Sequence, residues 1–175
     1  KLIVTSSLGC IDSLSKNVVV DTLPSAFAGL DQTICQFDTI SVGEPSIVGE
    51  TYLWDNFSTL SSTSVSNPNA FPTVTTVYSV TVTNTNGCSN IDQVTITVNP
   101  APNVDAGDDV TICNRDTVMI GGTPTSTVTG VTYSWNNPST LSDVTIANPL
   151  VYPTDTTEYI VTVTEANGCS NRDTI

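Results

Sequence analysis

The chain has no histidine and only four Lys or Arg residues against 17 Asp or Glu, for a formal net charge of -13. Without His it lacks the commonest general base and the commonest metal ligand at neutral pH. The shortage of cations excludes a nucleic-acid groove, which needs clustered Lys and Arg to displace counterions, and a basic helix lying on a membrane. Lys occurs only at positions 1 and 16, and residues 24–102 hold neither Lys nor Arg, so Lys–Asn isopeptide staples are impossible there. Aromatic residues make up 6% of the chain. No apolar run approaches the roughly 20 residues of a transmembrane helix. No Gly-rich phosphate loop, His-Glu-x-x-His motif or nucleophile beside a base occurs. Carboxylate pairs across a cleft could in principle cleave glycosides, but the acids recur once per repeat at turns, so we expect no enzyme and no cofactor. Val, Ile and Leu recur along the whole length, which is not the pattern of a disordered chain. The chain begins at Lys1 and stops at Ile175 within an apolar alternation, and reads as a piece of a longer polypeptide.

The dominant feature present is an internal repeat. Ala28-Gly29-Leu30-Asp31-Gln32-Thr33-Ile34-Cys35 matches Ala106-Gly107-Asp108-Asp109-Val110-Thr111-Ile112-Cys113, 78 residues later. Tyr52-Leu53-Trp54 matches Tyr133-Ser134-Trp135 at a spacing of 81, as do Ser58–Ser61, Asn67-Pro68, Tyr78 and Asn86-Gly87-Cys88-Ser89-Asn90. Three extra residues therefore lie between Cys113 and Tyr133, most simply in the Gly/Thr-rich stretch 121–130. Leu8-Gly9-Cys10 followed by Asp12 echoes Asn86-Gly87-Cys88 followed by Asp92, a partial third copy. The expected organisation is the end of one repeat (1–23), a complete repeat (24–101) and a second repeat lacking most of its last strand (102–175). Pro-marked linkers stand at Leu23-Pro24 and Asn99–Pro102.

Each repeat reads as all-β. From Thr75 to Thr83 the residues alternate, with Tyr78, Val80 and Val82 on one face; Tyr159, Val161 and Val163 repeat the pattern, and Val94, Ile96 and Val98 share a face further on. Period-two alternation rich in β-branched residues marks half-buried strands. Asn86-Gly87 between two such runs marks a hairpin. About seven short strands per repeat fit a two-sheet sandwich. Trp54 and Trp135 are expected to fill the space between sheets, and Tyr78 and Tyr159 to take the corner-tyrosine position.

The frame Ala-Gly-x-Asp-x-Thr-Ile-Cys, Asp-Thr-(Ile/Val), Tyr-x-Trp, Leu-Ser, Asn-Pro, Pro-Thr-x-Thr-x-Tyr-x-Val-Thr-Val-Thr and Asn-Gly-Cys resembles the tandem immunoglobulin-like or PKD-like repeats of Bacteroidota secreted surface adhesins, including SprB-like gliding adhesins and similar extracellular filaments. The resemblance covers nearly all of both main repeats. It implies β-sandwich domains in head-to-tail array, located outside the cell, that act as a stalk or filament giving reach and stiffness to a distal tip. The partners it implies are neighbouring repeats of the same chain, like filaments or a cell-surface anchor, with no nucleic acid and no membrane insertion.

Five cysteines (10, 35, 88, 113 and 169) place one before the second strand and one at the last hairpin of each repeat. With no His and no Cys-x-x-Cys they suggest disulfides rather than zinc. Two pairings stay open. Within repeats, Cys35 would join Cys88 and Cys113 would join Cys169. Between repeats, Cys35 would join Cys169, because the bottom of one sandwich meets the top of the next, which would leave Cys10, Cys88 and Cys113 for neighbours outside the chain. Cys10 would find its partner outside the chain.

Three further features have two readings each. Asp105, Asp108 and Asp109 offer hard oxygen ligands for Ca²⁺, but lack the alternating spacing of a defined calcium loop, which favours a solvated, self-repelling surface. Asp-(Ser/Thr) triplets resemble the Bacteroidota O-glycosylation motif and nominate Ser13, Thr22, Thr39, Thr117, Thr156 and Thr174; Asp before a strand is also ordinary turn chemistry. Phe37, Phe57, Phe71 and Tyr152 are the aromatics a rival carbohydrate- or surface-binding module would use. An accessory spacer beside a secreted enzyme is a third reading.

Overall fold

A computed structural model describes residues 1–175, and its regular elements are strands apart from two short 3-10 turns. No helix is long and apolar enough to cross a membrane. The first strands, β1 (Leu2–Thr5) and β2 (Ile11–Leu14), form an isolated hairpin whose residues are all exposed. It pairs Thr5 with Ile11 as a later hairpin pairs Thr83 with Ser89. Both pairs lie 78 residues apart, so Asp12 is the counterpart of Asn90, not of Asp92 as the sequence match suggested.

The first full repeat holds β3 (Gln32–Cys35), β4 (Ile40–Ser41), β5 (Thr51–Trp54), β6 (Asn69–Ala70), β7 (Thr76–Thr83) and β8 (Ser89–Asn99). One sheet runs β3-β8-β7-β5, and the two-stranded sheet β4-β6 lies against it. Tyr78, Val80 and Val82 are buried from β7, and Val94 and Ile96 from β8, as strand alternation requires. They pack with Trp54, Val42, Leu60 and Ala70 into one core.

The second repeat holds β9 (Val118–Met119), β10 (Thr132–Trp135), β11 (Leu150–Val151), β12 (Ile160–Thr164) and β13 (Ser170–Thr174). Its sheets are β10-β12-β13 and β11-β9. A separate core gathers Trp135, Leu141, Val151, Tyr159, Val161 and Val163. The architecture is an all-β sandwich, built twice around two interiors.

The two copies agree in detail. Trp54 Nε1–H donates to the carbonyl of Val65 at 2.9 Å, and Trp135 Nε1–H to that of Ile146 at 3.0 Å. The Tyr78 hydroxyl bonds Thr59 Oγ1 at 2.8 Å, and the Tyr159 hydroxyl bonds Thr140 Oγ1 at 2.9 Å, so each ring is tied to the 3-10 turn of its own repeat. Asn56 and Asn137, just before those turns, both take left-handed backbone with φ 53, a conformation Asn tolerates better than most residues. Gly43 and Gly121 both have positive φ; a methyl group would strike the Ser66 carbonyl at the first and the Ala147 carbonyl at the second. β4 and β9 still match at a spacing of 78, whereas β5 and β10 match at 81, so the extra residues lie between Gly121 and Thr132. That longer loop folds back on the start of its repeat, where Asp105 N–H donates to Thr125 O and Thr127 N–H to Asn103 Oδ1.

Two local details go beyond what the sequence pattern specifies. The Asn-Gly hairpin is a five-residue loop, 84–88, in which Gly87 takes positive φ and the Asn84 side-chain oxygen accepts the N–H groups of Asn86 and Cys88. And the first strand does not pair with the second: β3 joins the far edge of the sheet, parallel to the end of β8, with Gln32 opposite Ile96 and Cys35 opposite Asn99.

Candidate functional site

The functional candidate is the junction between the two repeats. Parallel pairing carries Cys35 to the end of β8, next to Asn99 and the linker that follows. The β12-β13 hairpin carries Cys169 to the near end of the second repeat. The two form a disulfide with Cα atoms 5.4 Å apart, across 134 residues of sequence. Cys169 is fully buried. This excludes the within-repeat pairings Cys35–Cys88 and Cys113–Cys169. The physical reason is length. Cys88 precedes β8 and Cys35 pairs with its last residue. Ten steps of about 3.3 Å separate those ends by roughly 33 Å, while a disulfide needs Cα atoms within about 7 Å. Cys10, Cys88 and Cys113 are free thiols.

Hydrogen bonds reinforce the bridge. Gln36 N–H donates to Asn99 O at 2.8 Å, its side-chain oxygen accepts from Ala101 N–H at 3.3 Å, and its amide donates to Thr73 O at 3.4 Å. From the other repeat, Asn171 Nδ2 donates to Pro102 O at 3.1 Å. Asn90 makes the same bond to Pro24 O, also at 3.1 Å, so the first repeat sits on its preceding linker as the second does on Asn99–Pro102. Reasoning from sequence missed Gln36, Asn90 and Asn171; the recurrence of Asn90 as Asn171 in the 81-residue frame was the available signal.

The acids are structural at several points. Asp92 Oδ2 accepts from Ala28 N–H, and Asp173 Oδ2 from Ala106 N–H, both at 2.8 Å. Asp31 Oδ1 accepts from Thr95 N–H at 2.7 Å. Asp105, Asp108 and Asp109 do not gather into a calcium site: Asp105 Oδ1 is taken by Gly107 N–H, and no group of three acidic, Cys or His side chains able to hold a metal forms anywhere. Burial, with the nearby Asp55 charge, raises the Tyr78 hydroxyl above its ordinary value despite the opposing bond to Thr59. The exposed Asp143 carboxyl is lowered by the Thr145 hydroxyl and N–H.

Ser13, Thr22, Thr39, Thr117, Thr156 and Thr174 are all exposed. Phe37 and Phe57 are 70% and 80% exposed, whereas Phe71 and Tyr152 are only 41% exposed. Phe37 has Arg115 as its counterpart and Phe57 has Pro138, so neither builds a repeated aromatic platform.

The sequence reaches only Ile175, the counterpart of Val94, so the segment matching Ile96–Asn99 lies outside it. In the second repeat, a groove of about 720 Å³ runs beside Val110–Cys113 and the Thr156–Tyr159 edge, next to Ile175. No groove opens at the equivalent place in the first repeat, where the end of β8 lies.

No family model matches the chain, and no curated protein matches it. Among solved structures, it is similar to the insect immune protein hemolin, with 16% identity, a TM-score of 0.41, and coverage of 85% of this chain and 44% of that one. It is similar to murine CEACAM1b with 13% identity, a TM-score of 0.37, and coverage of 82% and 93% respectively. It also matches the human desmocollin-1 ectodomain with 10% identity, a TM-score of 0.32 and 89% of this chain covered, but spans only 37% of that chain.

Proposed function

We propose that the chain is a stalk segment of a long extracellular surface protein, whose role is to span distance and hold its repeats in fixed succession. The observation that carries this reading is the junction: two sandwiches with separate cores joined by the Cys35–Cys169 bridge and by hydrogen bonds from Gln36 and Asn171. A linker alone leaves neighbouring domains free to swing; a covalent second connection removes most of that freedom. A disulfide also fits an oxidising compartment, and the net charge of -13 fits a chain that must stay soluble and unaggregated. The resemblance to Bacteroidota adhesin repeats supports a cell-surface setting, gliding filaments included, and O-glycans on the exposed Asp-(Ser/Thr) sites belong to the same reading. No catalytic step is invoked.

Small-angle scattering of the oxidised protein and of Cys169→Ser tests this. The oxidised form should give a narrow, elongated distance distribution, and the variant a broader one from domain swinging. Identical curves would remove the bridge from any role in stiffness. Specific glycan-array binding, lost on Phe57→Ala, would instead favour a binding module.

A further inference from the structure

The two main repeats share one identical run, Asn-Gly-Cys-Ser-Asn, at 86–90 and 167–171. In each it closes the hairpin before the last strand. In each the Gly takes positive φ, and its N–H donates at 3.0 Å to the carbonyl of Asn84 or Glu165. Open space surrounds both glycines, and both Asn86 and Asn167 are exposed. The two asparagine side chains are nevertheless held differently.

The residue two positions earlier makes the difference. In the first repeat Asn84 Oδ1 accepts the N–H groups of Asn86 and Cys88, both at 3.0 Å, as a short Asx side chain can. That leaves the Asn86 side chain without a hydrogen bond. In the second repeat the counterpart is Glu165, whose carboxylate caps neither N–H group. Asn167 takes over the task. Its Oδ1 accepts from Cys169 N–H at 2.9 Å, and its Nδ2 donates to Glu165 Oε2 at 3.1 Å. One amide is free to turn, and the other is fixed at both ends.

We propose that Asn86 is a site of spontaneous deamidation, and that its two side-chain hydrogen bonds protect Asn167 from the same reaction. The Gly87 nitrogen loses its proton and attacks Asn86 Cγ. An N–Cγ bond forms, the Cγ–Nδ2 bond breaks, and the proton leaves with ammonia. The resulting succinimide takes up one water: opening at Cγ gives aspartate, and opening at the backbone carbonyl gives isoaspartate. One water is consumed, one ammonia is released, and nothing is oxidised. Gly favours the attack because it has no side chain to shield its nitrogen. The asparagine must rotate until Cγ faces that nitrogen. Asn86 does so without losing a bond, whereas Asn167 must first give up two. Two hydrogen bonds of ordinary net strength slow the reaction on the order of tenfold.

The product has a structural consequence. Asn84 Nδ2 donates to Thr22 O and Asn90 Nδ2 to Pro24 O, both at 3.1 Å, so this loop seats the linker ahead of the first repeat. Either product adds a negative charge where the chain has no Lys or Arg between Lys16 and Arg115. Isoaspartate also lengthens the loop backbone by one methylene. Age therefore marks the loop ahead of the first repeat and spares the one beside the Cys35–Cys169 bridge. None of this depends on the stalk reading; a chain with flexible junctions would deamidate in the same order.

The experiment holds the oxidised 175-residue protein in mildly alkaline buffer made with heavy-oxygen water, and follows chymotryptic digests by tandem mass spectrometry. Label should enter position 86, as aspartate and isoaspartate, on the order of tenfold faster than position 167. In denaturant with reductant the gap should close, because Gly-Cys-Ser-Asn follows both sites. Exchanging the controlling residues, Asn84→Glu with Glu165→Asn, should reverse the order. Cys35→Ser should leave Asn167 the slower site, which separates its side-chain bonds from the bridge at Cys169. Equal rates in the folded protein, a gap that survives unfolding, an unchanged order in the double exchange, or an Asn167 that speeds up to match Asn86 in Cys35→Ser would overturn the proposal.

Discussion

The two repeats share a frame down to individual hydrogen bonds, but the sequence includes the partner of the first strand in one repeat and stops at Ile175, the counterpart of Val94, in the other. In the first, β3 is held by the last four residues of β8. In the second, Thr111-Ile112-Cys113 repeat Thr33-Ile34-Cys35, but the counterpart of their partner would follow Ile175, and within residues 1–175 they form no strand. The difference shows that Thr-Ile-Cys becomes strand in the first repeat because a neighbouring ladder captures it, not through intrinsic preference. Strand propensity depends on context in this way.

Amide exchange is the sharpest way to break that comparison, and should show the largest effect. The Gln32–Cys35 segment should exchange on the order of a hundredfold more slowly than Val110–Cys113, since one belongs to a packed ladder and the other opens freely. Equal rates would mean the parallel pairing is not stable in solution. Next in size is the bridge. Closing a loop of 134 residues stabilises by up to about 5 kcal/mol in the chain-entropy model, so Cys35→Ser should lower the denaturation midpoint and let the two repeats melt as separate transitions. A single transition in that variant would indicate that the repeats depend on one another without the bridge.

Trp54→Ala and Trp135→Ala should each cost about 3–5 kcal/mol, because the indoles are 3% and 4% exposed and each satisfies a carbonyl. Made in the Cys35→Ser background, each variant should shift only the transition of its own repeat in differential calorimetry; a shift in both would merge the two cores. The smallest effect concerns Tyr78, whose hydroxyl is raised above its ordinary value by burial. A raised folded value means that its contribution is complete below about pH 10, the unfolded range, and is lost as pH climbs through the folded value. Tyr78→Phe should therefore flatten the alkaline side of the stability profile, as followed by circular dichroism against pH, and leave the neutral region nearly level.

Much of the architecture was legible in the residues. Strict alternation over Thr76–Thr83 and the 78- and 81-residue spacings placed the main strands, the core aromatics and the longer loop, because burial of one strand face leaves a period of two. The parallel seat of β3 was not legible. Four residues carry too little pattern to name their partner, and a strand that leaves its neighbour to join the far edge is set by tertiary contact. The two-residue strands Ile40–Ser41 and Asn69–Ala70 escaped for the same reason. For the cysteines, spacing narrowed the pairing to two options, and only the position of Cys35 at the far end of β8 separates them. Gln36 was invisible because its partners are backbone carbonyls and an N–H group, which leave no mark in sequence; Asn171 left one signal, its recurrence with Asn90 at a spacing of 81.

The bridge between Cys35 and Cys169 also decides what happens when the molecule is pulled from its two ends. Tension crosses from sulfur to sulfur and bypasses everything between, including Trp54, Trp135 and most of both cores. At about 3.4 Å per residue, the 134 residues inside that loop are roughly 450 Å of hidden contour length, which cannot be paid out until a reductant cuts the bond. Extensibility in this segment is thus set by redox chemistry before it is set by folding energy.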